Sequence, residues 1–376
     1  MIIIIVSFLL FFLFLFSNSR NIKLISKISF ALFASILLLT NGQFQGNDYP
    51  HYLNFYLGDF SMFGTLDVPG GYELEKPYAY FVKLVRLILP RAPYSYILCY
   101  ALMWLCPLLL LLKKGSNNVA LSLFLLCTLL GCSQLLFIIA AQRQMLATVS
   151  FMWIYYILKY STLSKWGKRI SVATLSIIAL LSHSSSYFVL PMLIALYYVK
   201  FPSKKILYIF TVISFILGPI IQDYLAPLFY GFMISLGSTD EIARSTGYFI
   251  NETYDLGGSR YVGLLPSTLA SLIFLYFYDK EDLKRYGVKC FILGVIFFNF
   301  FNYIPLLNRG LNAVFIFGVI LGLPLIKQHQ QLLRMKLCLL IVALGLMYTT
   351  FKRYNEGANT NGLFPYPYIW ENNRVL

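Results

Sequence analysis

The sequence predicts an all-α polytopic integral membrane protein, and three observations carry that expectation. Of its 376 residues, 59% are hydrophobic and only 12% charged, whereas soluble domains are about 25% charged and about 45–50% apolar. Mean hydropathy is +0.71, and the apolar residues gather in runs of about 20, the length that crosses a bilayer as a helix. Lys and Arg concentrate in short connectors between alternate runs, as cytoplasmic loops do. Aromatic residues reach 18%, with 33 Phe and 29 Tyr. Such a surface aggregates in water, and a bilayer is its natural solvent.

In chain order, spans are predicted near 2–17, 28–41, 94–112, 118–141, 144–159, 205–222, 261–278, 288–305, 310–327 and 337–351, with a helical pair across 170–199. That makes about twelve transmembrane segments, some short or re-entrant, in one domain over 1–376. The run Met1 to Phe16 imitates a signal peptide. It has no basic n-region and no A-x-A-like cleavage site, and Arg20, Lys23 and Lys27 follow it, so it is read as an uncleaved span with its N-terminus outside. Cys99, Cys106, Cys127, Cys132, Cys290 and Cys338 all fall in apolar runs without a C-x-x-C pair. They read as small core hydrophobes rather than redox or metal groups.

The formal charge of +15 invites a nucleic-acid reading, but its location argues otherwise. Nineteen of the 30 basic residues fall in the connectors assigned inside: Arg20, Lys23, Lys27; Lys113, Lys114; Lys159, Lys165, Lys168, Arg169; Lys200, Lys204, Lys205; Lys280, Lys284, Arg285, Lys289; and Lys327, Arg334, Lys336. Only Asp279, Glu281 and Asp282 accompany them. The excess is therefore a topology signal, and no nucleic-acid partner is expected. Two outward segments, about 42–93 and 223–260, are too long for plain connectors and are rich in Tyr, Gly, Asp and Glu. Long loops are commonly functional, which directs the search for chemistry outward.

The most informative stretch runs from Arg169 to Lys200, with basic residues at both ends. About 30 residues at 1.5 Å each reach about 45 Å, short of the roughly 60 Å that two full crossings need. A pair of short helices turning inside the membrane fits both facts, with the turn at Ser182-His183-Ser184-Ser185-Ser186. One long span is the competing geometry, and it would flip every later basic connector to the outside. Ionisable groups at membrane depth are costly and commonly mark a site. His183 is accordingly a candidate catalytic group; the alternative is a polar knot in which it bonds the serines and caps the second short helix.

Arg143, in Ala141-Gln142-Arg143-Gln144, and Arg309, in Leu307-Asn308-Arg309-Gly310, have no acidic residue within six positions. Snorkelling to lipid headgroups explains arginines at helix ends. Two of them at the same outward depth as the His183 turn are better explained by an anionic ligand, because guanidinium forms bidentate, charge-assisted bonds to phosphate. Arg244 and Arg260, in the second outer segment, have acidic neighbours and are weaker candidates for the same task. In the first outer segment, Asp48-Tyr49 and Glu73-Leu74-Glu75 place acids beside aromatics, as sugar sites often do. A metal role for Glu73 and Glu75 lacks further ligands, so no metal and no cofactor are expected. Beyond Pro77, Tyr78 to Leu87 carries Lys83 and Arg86 on an otherwise apolar pattern, which suggests an interfacial helix against membrane lipids.

At this point the pattern resembles a known family. "FIIAAQRQMLATVSFMWIYYILKYS", "KRISVATLSIIALLSHSSSYFVLPMLIAL" and "NRGLNAVFIFGVILGLPLI" are similar to the EpsG-like branch of bacterial polysaccharide polymerases, the O-antigen polymerase (Wzy) type. Upstream, "NDYPHYLNFY … GYELEKPYAYFVKLVRLIL" resembles the family's first outer loop, where an Asp-Tyr pair precedes a glutamate and an amphipathic helix. The resemblance covers roughly residues 45–330. It departs from the family in the serine run after the histidine, where a bulkier apolar residue is expected.

The resemblance implies a GT-C-like glycosyltransferase that joins undecaprenyl-pyrophosphate-linked oligosaccharide units at the periplasmic face of the inner membrane. A polysaccharide chain-length regulator is a candidate partner. Arg143, His183 and Arg309 match the family's polar positions, and Asp48 and Glu75 its first-loop acids. Arginines suit the charge that develops on a departing pyrophosphate. A neutral histidine or a carboxylate suits removal of a proton from the acceptor hydroxyl. The alternatives are a lipid-linked-oligosaccharide flippase and another polyprenyl-linked-sugar transferase or ligase. Carriers commonly show repeated halves and broken helices, and no repeat is visible in the sequence.

Overall fold

A computed structural model describes residues 2–17, 20–39, 56–57, 67–68, 72–73, 76–115, 118–128, 142–183, 185–235, 260–301, 305–321 and 329–355. Helices dominate them: α1 (Ile2–Phe16), α2 (Ile22–Leu39), α3 (Lys76–Ile88), α4 (Pro93–Gly115), α5 (Val119–Thr128), α6 (Gln142–Tyr160) and α7 (Lys165–Ser182). There follow α8 (Ser186–Tyr198), α9 (Lys204–Ser235), α10 (Arg260–Phe277), α11 (Tyr286–Phe301), α12 (Pro305–Leu321) and α13 (His329–Asn355). Two two-residue strands, β1 (Asp67–Val68) and β2 (Tyr72–Glu73), pair antiparallel within the first long outer segment.

The bundle is organised around α12, which packs against α11, α8, α5, α4 and α6. Its residues Ala313 to Ile320, apart from glycine, are almost wholly buried hydrophobics. A helix apolar all round belongs in a core. Gly318 lets it approach α11 closely: a Cβ there would lie 2.6 Å from the Phe291 backbone nitrogen and 2.7 Å from its Cα. By contrast α9 turns Ile209, Phe210, Ile213, Ile216 and Ile220 outward. Stretches Leu98–Gly115 and Lys204–Ile221, within α4 and α9, are long and apolar enough to cross a membrane. Side chains of this kind facing outward are stable against lipid tails and unfavourable against water.

Basic connectors meet at one end of the bundle. Lys336 of α13 donates to Leu15 O at 2.7 Å and Ser17 O at 2.8 Å, with its ammonium 5.3 Å from the Phe14 ring centre. A lysine so placed satisfies carbonyls that a helix C-terminus leaves open. Lys204 does the same for the end of α10, donating to Tyr276 O and Tyr278 O at 2.8 and 3.0 Å. Lys289 donates to Val199 O beyond α8 at 2.7 Å. At the C-terminus of α4, Gly115 sits against Leu321 of α12 and Tyr160 of α6. Tyr155 stacks on Tyr286 at 5.1 Å, and Tyr197 meets Tyr286 edge-on at 5.6 Å, an aromatic layer of the kind that membrane interfaces collect.

Toward the other end, buried Asn299 of α11 joins three helices. Its Nδ2 donates to Ser214 Oγ of α9 at 3.0 Å and to Thr268 Oγ1 of α10 at 3.2 Å. Amide–hydroxyl bonds of this sort hold helices together where the hydrophobic effect cannot.

Element boundaries differ from expectation in informative ways. The segment 170–199 is two helices broken at His183, as the length argument requires. The second helix begins at Ile22, earlier than 28, and the last spans 329–355 rather than 337–351. The expected outer segment 223–260 starts too early, because α9 continues to Ser235 through Pro219 and Pro227. Its continuation, Tyr224-Leu225-Ala226-Pro227-Leu228-Phe229-Tyr230, is as apolar as the span before it, and Asp223 alone does not end a helix. Residues 129–141 of the expected span 118–141 lie outside the described residues.

Replacing Gly318 by Leu should lower the thermal stability of the detergent-solubilised protein. Overpacking a tight contact costs about 1–3 kcal/mol, whereas Gly345→Leu, with open space around it, should leave the melting temperature nearly unchanged. Equal melting of the two variants would contradict the α11–α12 contact.

Candidate active site

Four helix ends meet at the end of the bundle opposite the lysines. The α7 helix stops where His183 adopts an extended backbone, φ −163° and ψ 135°, and α8 begins three residues later. Ser182 Oγ donates to Ile178 O at 2.5 Å. The Ser186 amide donates to His183 O at 2.9 Å, and the Ser185 amide to His183 Nδ1 at 3.1 Å. Ser185 Oγ lies 2.8 Å from the same ring nitrogen. The imidazole thus takes the Ser185 amide and the His183 carbonyl the Ser186 amide at the start of α8, where backbone N–H groups lack intrahelical partners.

Two further helices brace the turn. Gln144 of α6 donates through Nε2 to Ser185 Oγ at 3.3 Å. On the α12 side, a Cβ added at Gly310 would lie 2.8 Å from Val189 Cγ2, 3.6 Å from Ser185 Cβ and 3.7 Å from Ser185 O. A side chain there would make the Val189 side chain give way. His183, Gln144, Ser185 and Ser186 are all buried. Gln144 Oε1 and Ser186 Oγ have no hydrogen-bond partner among the described residues, and buried unsatisfied polar atoms call for an explanation such as a bound group.

This geometry brings the segments that carry three of the sequence candidates to one place. Arg143 is the second residue of α6 and adjoins Gln144; Arg309 is in α12 and adjoins Gly310. Both neighbours touch Ser185, two residues from His183. The N-termini of α6, α8 and α12 therefore converge on the turn, together with the C-terminus of α7. Helix N-termini carry partial positive charge and exposed N–H groups, which favour anions. Pro305 opens α12, a position where its missing N–H is harmless.

The other candidates stand differently. Arg260 opens α10, which packs on α9, α11 and α13 rather than on the walls of the His183 turn. Asp48, Glu75 and Arg244 lie outside the described residues. Glu75 immediately precedes α3, and α3 is anchored beside the site. Its Tyr78, Ala79, Val82 and Val85 share a buried apolar cluster with Tyr56 and with Leu146 of α6. Tyr56 Oη donates to Pro90 O at 2.8 Å, closing that segment. The opposite face of α3, with Tyr80, Leu84, Leu87 and Ile88, is exposed, as expected of an interfacial helix. Among the described residues no three His, Cys, Asp or Glu side chains gather as a metal ion would require. Sequence reasoning missed Gln144, Ser185 and Gly310. Each adjoins or follows closely a charged candidate, and their roles depend on contacts between distant helices.

The approach of α12 to the turn yields a direct test. With the 6 native cysteines replaced, the pair Ser185→Cys and Gly310→Cys should form a disulfide on mild oxidation. Their Cβ separation of 3.6 Å falls in the range of about 3.5–4.5 Å for such bonds. The pair Ser185→Cys and Gly345→Cys should not, and the reverse pattern would disprove the convergence.

The EpsG family model matches residues 27–368, from within α2 to beyond α13. No curated protein and no solved structure matches the chain. The match takes in the His183 turn and the helices bearing both arginines, and on that extent the chain belongs to the EpsG family, a family of Wzy-type polymerase-like membrane proteins.

Proposed function

We propose that the protein is an O-antigen polymerase, an integral membrane glycosyltransferase of about twelve spans. It joins undecaprenyl-pyrophosphate-linked oligosaccharide units at the periplasmic face of the bacterial inner membrane. The observation that carries this reading is the meeting of the Arg143, His183 and Arg309 segments at the bundle end away from the basic connectors. The lysine-rich end belongs inside by the charge rule, so the opposite end faces the compartment where lipid-linked units are polymerised.

The chemistry follows from the charges. The donor leaves as a lipid pyrophosphate, whose growing negative charge needs preorganised cations in a water-poor site. Arg143 and Arg309 supply two guanidinium groups, and three helix N-termini add aligned dipoles. Arg244 takes a secondary part in holding the diphosphate. Because these groups supply the positive charge, the reaction needs no metal. The acceptor hydroxyl attacks the anomeric carbon directly and inverts its configuration, while Asp48 and Glu75 position sugar or accept the hydroxyl proton. The orphan Gln144 Oε1 and Ser186 Oγ are suited to sugar hydroxyls. Membrane lipids hold the exposed face of α3.

Arg143→Ala and Arg309→Ala should each abolish long polymer in a strain lacking the native gene, leaving single capped units on the surface. Loss of one such charge-stabilising group costs about 10²–10³ in rate. Lys replacements should recover part of it, lacking the bidentate fork. Polymer ladders of unchanged length from both Ala strains, with normal protein levels, would refute the assignment. A strain with no surface unit at all would point to a flippase instead. Polymerisation in purified membranes should continue in the presence of a chelator.

A further inference from the structure

We infer that the start of α7 holds an anionic phospholipid of the leaflet at the lysine-rich end of the bundle. The lipid phosphate sits among Lys165, Lys168 and Arg169, and an acyl chain lies along Ile170, Ile177 and Leu181. The inference goes beyond the polymerase reading and does not depend on it, because it concerns the membrane and not the reacting sugars.

The charge comes first. No Asp or Glu occurs between Glu75 and Asp223, so neither α7 nor the helices next to it in sequence bring an acid to Lys165-Trp166-Gly167-Lys168-Arg169. Ser164 caps the helix here, its Oγ accepting the Gly167 amide at 3.1 Å, which fixes the first turn from which these side chains leave. Because α7 ends at the His183 turn, its start lies at the lysine-rich end. Lys165, Trp166 and Arg169 are exposed there. The Arg169 guanidinium lies 5.3 Å from the centre of the Trp166 ring, a contact that steadies the long side chain without neutralising its charge.

Beyond the cations the same helix face turns apolar. Trp166 is 71% exposed, Ile170 63%, Ile177 56% and Leu181 54%, and helical periodicity places the four on one stripe. The helix packs on α6, α3 and α8, and none of them covers it. Along α7 the order is therefore cation, indole, aliphatic. A phospholipid in one leaflet presents the matching order of phosphate, glycerol ester and hydrocarbon, and indole rings settle at the boundary between head and chain. A water-soluble anion would meet the cations and leave the stripe uncovered. A zwitterionic lipid would cover the stripe but bring a cation of its own. An anionic lipid satisfies both parts, through charge-assisted bonds to phosphate and attraction to each basic group.

Native mass spectrometry of the full-length protein in detergent, titrated with phosphatidylglycerol or with phosphatidylcholine of the same chains, tests this. Wild type should hold its first phosphatidylglycerol about tenfold more tightly than its first phosphatidylcholine, given three cations at the headgroup. In Lys165→Gln/Arg169→Gln that preference should vanish, and in Trp166→Ala it should weaken. Lys23→Gln/Lys27→Gln removes as much charge from α2, which packs on α1, α4 and α5, and should keep the wild-type preference. Equal loss in the two double variants would show a diffuse charge effect and overturn the inference, as would a wild type without preference. Displacement of the lipid by inorganic phosphate would also overturn it, since the site would then hold a free anion. A wild-type dimer that separates in Trp166→Ala would place a second copy of the chain on the stripe instead of lipid. Loss of polymer in the arginine variants of α6 and α12 bears on the polymerase reading alone and leaves this measurement unaffected.

Discussion

A helix that stops inside an apolar bundle leaves its polar main chain with no water to turn to, and everything at the site follows from how that problem is solved at His183. Each unsatisfied backbone group there costs several kcal/mol. The chain answers with a local cap, in which the imidazole nitrogen takes the Ser185 amide and the histidine carbonyl takes the Ser186 amide. Gln144 completes the arrangement from a different helix. A turn satisfied this way can sit within the bundle, and the helices it joins can be short.

Once the turn is fixed, its neighbours are fixed too. Gly310 seats α12 against the turn, where a Cβ would come within 2.8 Å of Val189 Cγ2, and Arg309 precedes it. Gln144 is bound to Ser185, and Arg143 precedes it. Two arginines separated by well over a hundred residues in sequence are thus carried to one locality by neutral residues beside them. The helix N-termini that come with them carry partial positive charge of their own. At the other end of the bundle, lysines cap the C-termini of α1, α8 and α10, which carry partial negative charge. The bundle is therefore polarised in charge, with lysines at one end and helix N-termini gathered about the turn at the other.

The central role of α12 explains how the two ends stay in register. Its residues Ala313 to Leu321, apart from glycine, are buried hydrophobics, and Gly318 draws it against α11 while Gly310 seats it on the turn. Asn299 then ties α11 to α9 and α10 by side-chain bonds. In a medium where apolar surface gains nothing from association, such close approaches and buried polar bonds are what hold helices together. They also keep the site rigid enough for a buried turn to retain one hydrogen-bond pattern.

Composition and spacing by themselves determined the class of the molecule and its helical runs, because lipid imposes length rules on every segment separately. The break at His183 was legible for the same reason: thirty residues between basic flanks are too few for two full crossings. Arg143 and Arg309 stood out because charges without local partners are rare in apolar runs. Helix ends were less legible, as at α9, where the apolar pattern outlasts Asp223 and only the structure shows the helix reaching Ser235. The partnership of Gln144, Ser185 and Gly310 was decided by tertiary structure alone, since a glutamine, a serine and a glycine carry no signal until distant helices bring them into contact.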